Sequence, residues 1–216
     1  MVSVREFVAS DVDTAVSLHL VVLDMEFLSR FGPSFMRAYY RAWTTTPGSM
    51  SFVALDDTGA LIGVLLGATD PATHVRAMVR EHGVALARSI AVAALSRPKL
   101  AKDLVATRAG RYARGVARLI RARLRPAVSD QVAGSPRVGE VTHVLVDPAA
   151  QGRGVGRLLI DAAIASAREA GDDELVLVTP PDLAARHFYE ALGWQSDGAM
   201  TSRSGEAFLR YRYSLR

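Results

Sequence analysis

No cysteine occurs among the 216 residues of the chain. That excludes disulfide frameworks and thiolate metal sites, and it is compatible with a reducing compartment. No stretch reaches the roughly 18 consecutive apolar residues of a membrane span. The opening "MVSVREFVASDVD" carries acids early and has no apolar core, so a signal peptide is not expected. Internal repeats and low-complexity tracts are absent as well. A soluble, cytoplasmic protein is the expectation these absences leave. Acids are scarce in one segment in particular. From Pro71 to Arg137 fourteen Lys and Arg stand against three acids, Glu81, Asp103 and Asp130, although the whole chain is only +4. A basic segment is therefore embedded in an acidic body.

Half of the residues are hydrophobic, enough for one sizeable core and short for two. The expectation is one domain spanning residues 1–216, with residues 71–137 as an elaboration within it. "VSVREFV" alternates as a strand does. "SDVD" then offers Ser10 as a helix cap, with Asp13 in the first turn. Gly32-Pro33 splits the next apolar stretch into two helices. "SMSFVALD", "DDTG" and "ALIGVLLGA" read as a β-hairpin. "VALARSIAVAAL", Val84 to Leu95, is too long for a strand and reads as helical. After the connector "SDQVAGSPRVG" the order is strand "EVTHVLV", helix, strand "ELVLVTP", helix "DLAARHFYEALG", and a closing pair around "WQSDGAM" and "AFLRYRYSL". This is an α/β fold with a βαβ unit and an attached hairpin.

Between the last-mentioned strand "EVTHVLV" and its helix stands "DPAAQGRGVGRLLI", with Gly152, Gly154 and Gly156 at alternate positions. A loop entering a helix presents unpaired N–H groups and the positive end of the helix dipole, which together attract an anion. Glycines let that anion approach the backbone. Arg153 and Arg157 add positive charge, which suits a diphosphate better than a carboxylate. The spacing G-x-G-x-G is neither the dinucleotide fingerprint nor a P-loop.

The run "VLVDPAAQGRGVGRLLI" resembles the acetyl-CoA-binding signature of the Gcn5-related N-acetyltransferase (GNAT) superfamily, with Gln151, Gly154 and Gly156 at its fixed positions. "DLAARHFYEALGW" resembles the second signature of that family, with Asp182 where the family carries asparagine. The resemblance covers residues 1–68 loosely and 139–216 well, and leaves the basic segment outside. It implies a mixed central sheet flanked by helices, into which the residue pattern sets a helical basic insertion between the third and fourth strands. It also implies acetyl-CoA as cosubstrate, no metal, and transfer of an acetyl group to a primary amine. The implied cofactor contacts are Val144, Leu145, Val146, Gln151, Gly152, Arg153, Gly154, Val155, Gly156, Arg157 and Asp182. An aspartate at 182 lacks the amide donor and adds a charge.

An alkylammonium has a pKa of about 10, so it must lose a proton before it can attack a thioester. Glu140 opens the strand at the spacing of the base in the histone-modifying branch of the family. Strand alternation predicts that Glu140, Thr142 and Val144 share one face and that His143 points away from them. Tyr189, from the second signature, is the implied proton donor to the departing thiolate. Backbone N–H groups of Val144 to Val146 are implied to hold the oxyanion. The resemblance further implies that strand Glu140 to Val146 splays from strand Glu174 to Thr179.

In the basic segment, Arg108, Arg111, Arg114, Arg118, Arg121 and Arg125 follow helical steps, opposite Ala113, Val116, Ala117, Ile120 and Leu124. This amphipathic pattern suits a solvated face packed on the body, a dock for an acidic acceptor such as a nucleotide-linked amino sugar, or contact with an anionic membrane. Nucleic acid is the weaker fit, because Tyr112 alone is interleaved to stack bases. Asp24 and Glu26 are candidates to hold a cationic acceptor. A small-molecule amine or amino sugar is favoured over a protein acceptor, and a homodimer is compatible with the sequence. The alternative to catalysis is a coenzyme A-binding module that holds a partner through the basic segment.

Overall fold

The computed structural model describes residues 1–24, 28–97, 136–181, 185–201 and 207–216. The chain divides into two compact units, residues 1–6, 48–71 and 131–216 in one and residues 7–47 and 72–130 in the other. The strands are β1 (Ser3–Glu6), β2 (Ser49–Leu55), β3 (Leu61–Ala68), β4 (Val138–Val146), β5 (Glu174–Thr179), β6 (Gln195–Thr201) and β7 (Ala207–Ser214). The helices are α1 (Val12–Val22), α2 (Pro33–Trp43), α3 (Pro71–Ser96), α4 (Val155–Glu169) and α5 (Ala185–Ala191). The arginine stripe from Arg108 to Arg125, together with Glu26 and Asp182, lies outside the described residues.

In the first unit all seven strands form one mixed sheet in the order β1-β2-β3-β4-β5-β7-β6. Every neighbouring pair is antiparallel except β4 and β5. A parallel pair needs a crossover, and α4 supplies it. Leu159, Ile160, Ala163, Ile164 and Ala167 form the buried stripe of α4. They share a core with Leu65 of β3, Val141 of β4, Leu175 and Leu177 of β5, and Tyr189 of α5. Such a stripe, recurring at three- and four-residue steps, is what seats a helix on a sheet. The hairpin turn between β2 and β3 is built by Asp56, whose Oδ1 accepts from the Thr58 N–H at 2.9 Å, the Thr58 hydroxyl at 2.7 Å and the Ala60 N–H at 3.0 Å.

The second unit contains α1, α2 and most of α3. Gly32 has φ 83° and precedes Pro33 at the start of α2, which fixes the break read from the sequence. The His19 ring nitrogen Nδ1 lies 2.8 Å from the Tyr40 hydroxyl and ties α1 to α2. Trp43 packs on His74 with ring centroids 4.4 Å apart. Two local readings change. Ser10 lies inside a 3-10 turn, Ala9–Asp11, and it is the Asp11 carboxylate that turns back to accept from the Val8 N–H at 2.9 Å. The helix expected from Val84 begins earlier, at Pro71, where proline favours a first turn.

Candidate functional site

Pairing of β4 with β5 runs from Val138↔Glu174 to Val141↔Leu177. β4 itself continues to Val146 and keeps its β3 partners to the end, Gly63↔Val146. Among the described residues β5 thus gives Val144 to Val146 no partner, and that side of β4 is an open edge. Unpaired N–H and C=O groups on such an edge are ready to bond an extended ligand.

At the end of β4 the Asp147 side chain accepts from the Ala149 N–H at 2.8 Å and turns the chain into the 3-10 turn Pro148–Ala150. Gln151, Gly152, Arg153 and Gly154 follow as exposed residues. Gly152 has φ +72° and Gly154 φ +78°, and a β-carbon built on either meets nothing within 4 Å. Both need the left-handed conformation, and both face open space into which a ligand fits. The first N–H taken up within the helix is that of Leu158, bonded to the Gly154 carbonyl at 3.1 Å. The N–H groups of Val155, Gly156 and Arg157 precede it at the positive end of α4.

The three glycines differ in purpose. A β-carbon on Gly156 would stand 3.1 Å from the Phe188 ring, so this position admits α5 rather than opening onto solvent. The Val155 side chain is buried, leaving only its backbone for contact. Arg153 lies close enough to Asp56 for its charge to help lower that carboxyl, after the larger effects of the Thr58 and Ala60 hydrogen bonds. Arg157 is exposed, 3.9 Å from Asp161.

Phe188 leads to Tyr189, whose ring is 5.1 Å from Phe188, 5.9 Å from Trp194 and 6.0 Å from Tyr211. The helix is fastened where Glu190 Oε1 accepts from Arg186 at 3.1 Å and from the Tyr211 hydroxyl at 3.1 Å. Tyr189 is only 8% exposed. Burial pushes its phenol up to about 12, which keeps it protonated at neutral pH.

Glu140 is half-buried on β4, one residue before the β4–β5 pairing ends. Its register partners lead across the sheet: Glu140↔Val176, Val176↔Arg212 and Val178↔Arg210. Paired residues share a face, so Arg210 and Arg212 stand on the side of Glu140. Val141, Leu177 and Tyr211 occupy the other side, against α4 and α5. Glu140 and Tyr189 therefore flank the sheet from opposite faces. Burial raises the Glu140 carboxyl above its usual range, against the opposing charges of Arg210 and His143, as suits a base.

The alternation expected along β4 fails at one place. The β3–β4 register shifts between Leu66 and Gly67, so that Gly67 faces Val141 and Leu66 faces His143. Thr142 is the extra residue of a β-bulge, and each residue beyond it changes face. His143, not Val144, shares the face of Glu140. Arg210 had not been singled out as a site residue. The alternation in "FLRYRYS" sets it beside Arg212, but the sequence gives no signal of which strand it neighbours.

A family model described as "Acetyltransferase (GNAT) family" matches residues 104–194. It begins inside the basic segment, further back than the two motifs alone reach. Mycothiol acetyltransferase of Rhodococcus erythropolis is 47% identical over 60 residues, 27% of this chain and 20% of the relative. The chain thus spans about one-fifth of that relative's length. Polyamine N-acetyltransferase of Drosophila melanogaster superposes with a TM-score of 0.58 at 15% identity, over 99% of this chain and 100% of that one. The acetyltransferase yncA of Salmonella typhimurium, solved with its cofactor acetyl-CoA, gives 0.57 at 15% identity over 100% and 94%. At these identities the likeness is one of fold.

Proposed function

We propose that this chain, whose residues 104–194 match the GNAT family model and whose fold is that of the acetyltransferases it superposes on, moves an acetyl group from acetyl-CoA directly to a primary amine. The observation that carries the reading is the opening of β4 from β5 beyond Val141, next to a glycine loop with free space before it. The backbone from Gln151 to Arg157 would hold the pyrophosphate, with the charges of Arg153 and Arg157 beside it. The open edge Val144 to Val146 would pair with the pantetheine arm, and Asp182 remains a candidate contact. Acetyl-CoA supplies the activated thioester and its thiolate leaving group. Glu140 Oε takes the ammonium proton of the acceptor, and its raised affinity for protons brings it nearer to neutral pH. An N–H of the Val144 to Val146 edge faces the oxygen that gains charge. The freed amine attacks the thioester carbonyl, the C–S bond breaks as the new C–N bond is kept, and Tyr189 Oη gives its proton to the leaving sulfur while the proton shed by the nitrogen restores the phenol.

A small-molecule acceptor is supported by the names of the mycothiol acetyltransferase relatives. The excess of Lys and Arg between residues 71 and 137 favours an acidic one, because like fields repel a polycation. The domain reading is likewise one acetyltransferase domain that carries this basic segment within it. The test is a panel of polyamines, amino sugars and nucleotide-linked amino sugars with acetyl-CoA, followed by free-thiol detection. Turnover on at least one acceptor is expected, falling ~10²- to ~10⁴-fold in Glu140→Gln. For an acidic acceptor KM should rise with salt, as charges are screened over about 8 Å at physiological ionic strength. Coenzyme A binding without turnover on the whole panel would instead indicate a binding module.

A further inference from the structure

The bulge in β4 gives Glu140 a neighbour that an unbroken strand would have sent to the other side. Ala68 faces Glu140 and Leu66 faces His143. Ala68 and Leu66 are two residues apart and share a face of β3, so their partners share a face of β4. Glu140 and His143 are three apart in the chain, and only the extra residue Thr142 brings them together. The charges agree with the register, since His143 acts on the Glu140 carboxyl in the same sense as Arg210. His143 is 6% exposed, so its imidazole is held in place rather than free to swing in solvent. The other charged groups on this face of the neighbouring strands are Glu174 of β5 and Arg210 and Arg212 of β7. Arg212 is already engaged, 3.0 Å from Asp197 and 3.6 Å from Glu174, and Arg210 is 3.6 Å from Asp197.

We infer that His143 is a positioning residue for Glu140, orienting the carboxylate beside the open edge of β4 and balancing its charge. The inference rests on the reading of Glu140 as the base. His143 touches neither substrate in this account and acts only through the carboxylate. A bulge is the cheap way to achieve this, because it redirects side chains without breaking the β3 ladder on either side.

Carbon-13 labelling of glutamate side chains allows Glu140 to be titrated directly, with its resonance assigned by Glu140→Gln. The Glu140 midpoint should move upward in His143→Ala and less in His143→Gln, which keeps a polar side chain of similar length. Arg210→Ala, removing the larger opposing charge, should also move it upward and serves as the positive control. A Glu140 midpoint unchanged in folded His143 variants while Arg210→Ala shifts it would overturn the inference. Failure of the base reading looks different: Glu140→Gln would then keep its turnover on the amine panel whatever the titrations show.

Discussion

The two ends of the β4–β5 pair make opposite use of the same strands. At the foot the chain is tied across the strands. Arg137 and Asp173 exchange hydrogen bonds of 2.8 Å and 2.9 Å, Arg216 binds Asp173 at 2.7 Å, and the covered Asp172 carboxylate lies 3.7 Å from Arg137. At the head the pairing stops at Val141↔Leu177, and a glycine loop and a helix start occupy the end of β4. Arg137, Asp173 and Arg216 at the foot bond one another, although both oxygens of the buried Asp172 carboxylate lack a hydrogen-bond partner, whereas the head leaves N–H groups for something else. The difference separates what holds this sheet together from what it is built to receive.

That contrast can be broken by substitution at either end, and the largest effect is expected at the head. Gly154→Val places a β-branched side chain at φ +78° and into the open space, so acetyl-CoA affinity should fall by roughly two decades or more in isothermal titration. Tyr189→Phe should lower turnover about 10- to 100-fold while acetyl-CoA binding stays within a factor of two or so, because the proton is needed only as sulfur leaves. With its phenol raised to about 12, Tyr189 should contribute no falling limb to the rate across the ordinary assay range.

At the foot the effect should be on stability and its pH dependence, with turnover unchanged. Burial raises the Asp172 carboxyl from 3.8 to about 6, and Arg137 only partly offsets that. Between those values the unfolded chain binds fewer protons than the folded one. Stability is therefore lost as pH rises through the window and stays lower above it. Asp172→Asn should abolish that fall and raise stability above pH 6 by up to about 3 kcal/mol, measured as urea midpoints from pH 4 to 8. A variant less stable at pH 7 than at pH 4 by the wild-type margin would show that Asp172 is not the group responsible.

Much of the head was legible in the sequence because its signals are local. The glycine loop, the strand before it and the helix after it occupy one continuous stretch, and Ala185–Ala191 of "DLAARHFYEALG" form the helix that stretch suggested. The splay of β4 from β5, implied by the family resemblance, appears as the end of a register. What escaped notice depends on partners in other strands. Period-two alternation assumes unbroken pairing, and the bulge opposite Leu66 and Gly67 leaves no mark in "EVTHVLV". Gly156 looked like part of the anion loop, yet the ring it accommodates is Phe188, distant in sequence. Asp172 looked like one of the acids that follow a helix, while the structure covers it. Ser10 had the chemistry of a cap, but the backbone entered a 3-10 turn one residue earlier and Asp11 took the role.

The central claim is that the open edge of β4 and the loop after it receive acetyl-CoA. Amide hydrogen exchange with and without acetyl-CoA tests it most directly. Exchange should slow in residues 142–146 and 151–157 on binding and stay unchanged at Glu140 and Val141, which are already paired on both sides. Binding of acetyl-CoA with no protection at 142–146 and 151–157, or with protection confined elsewhere, would contradict the account.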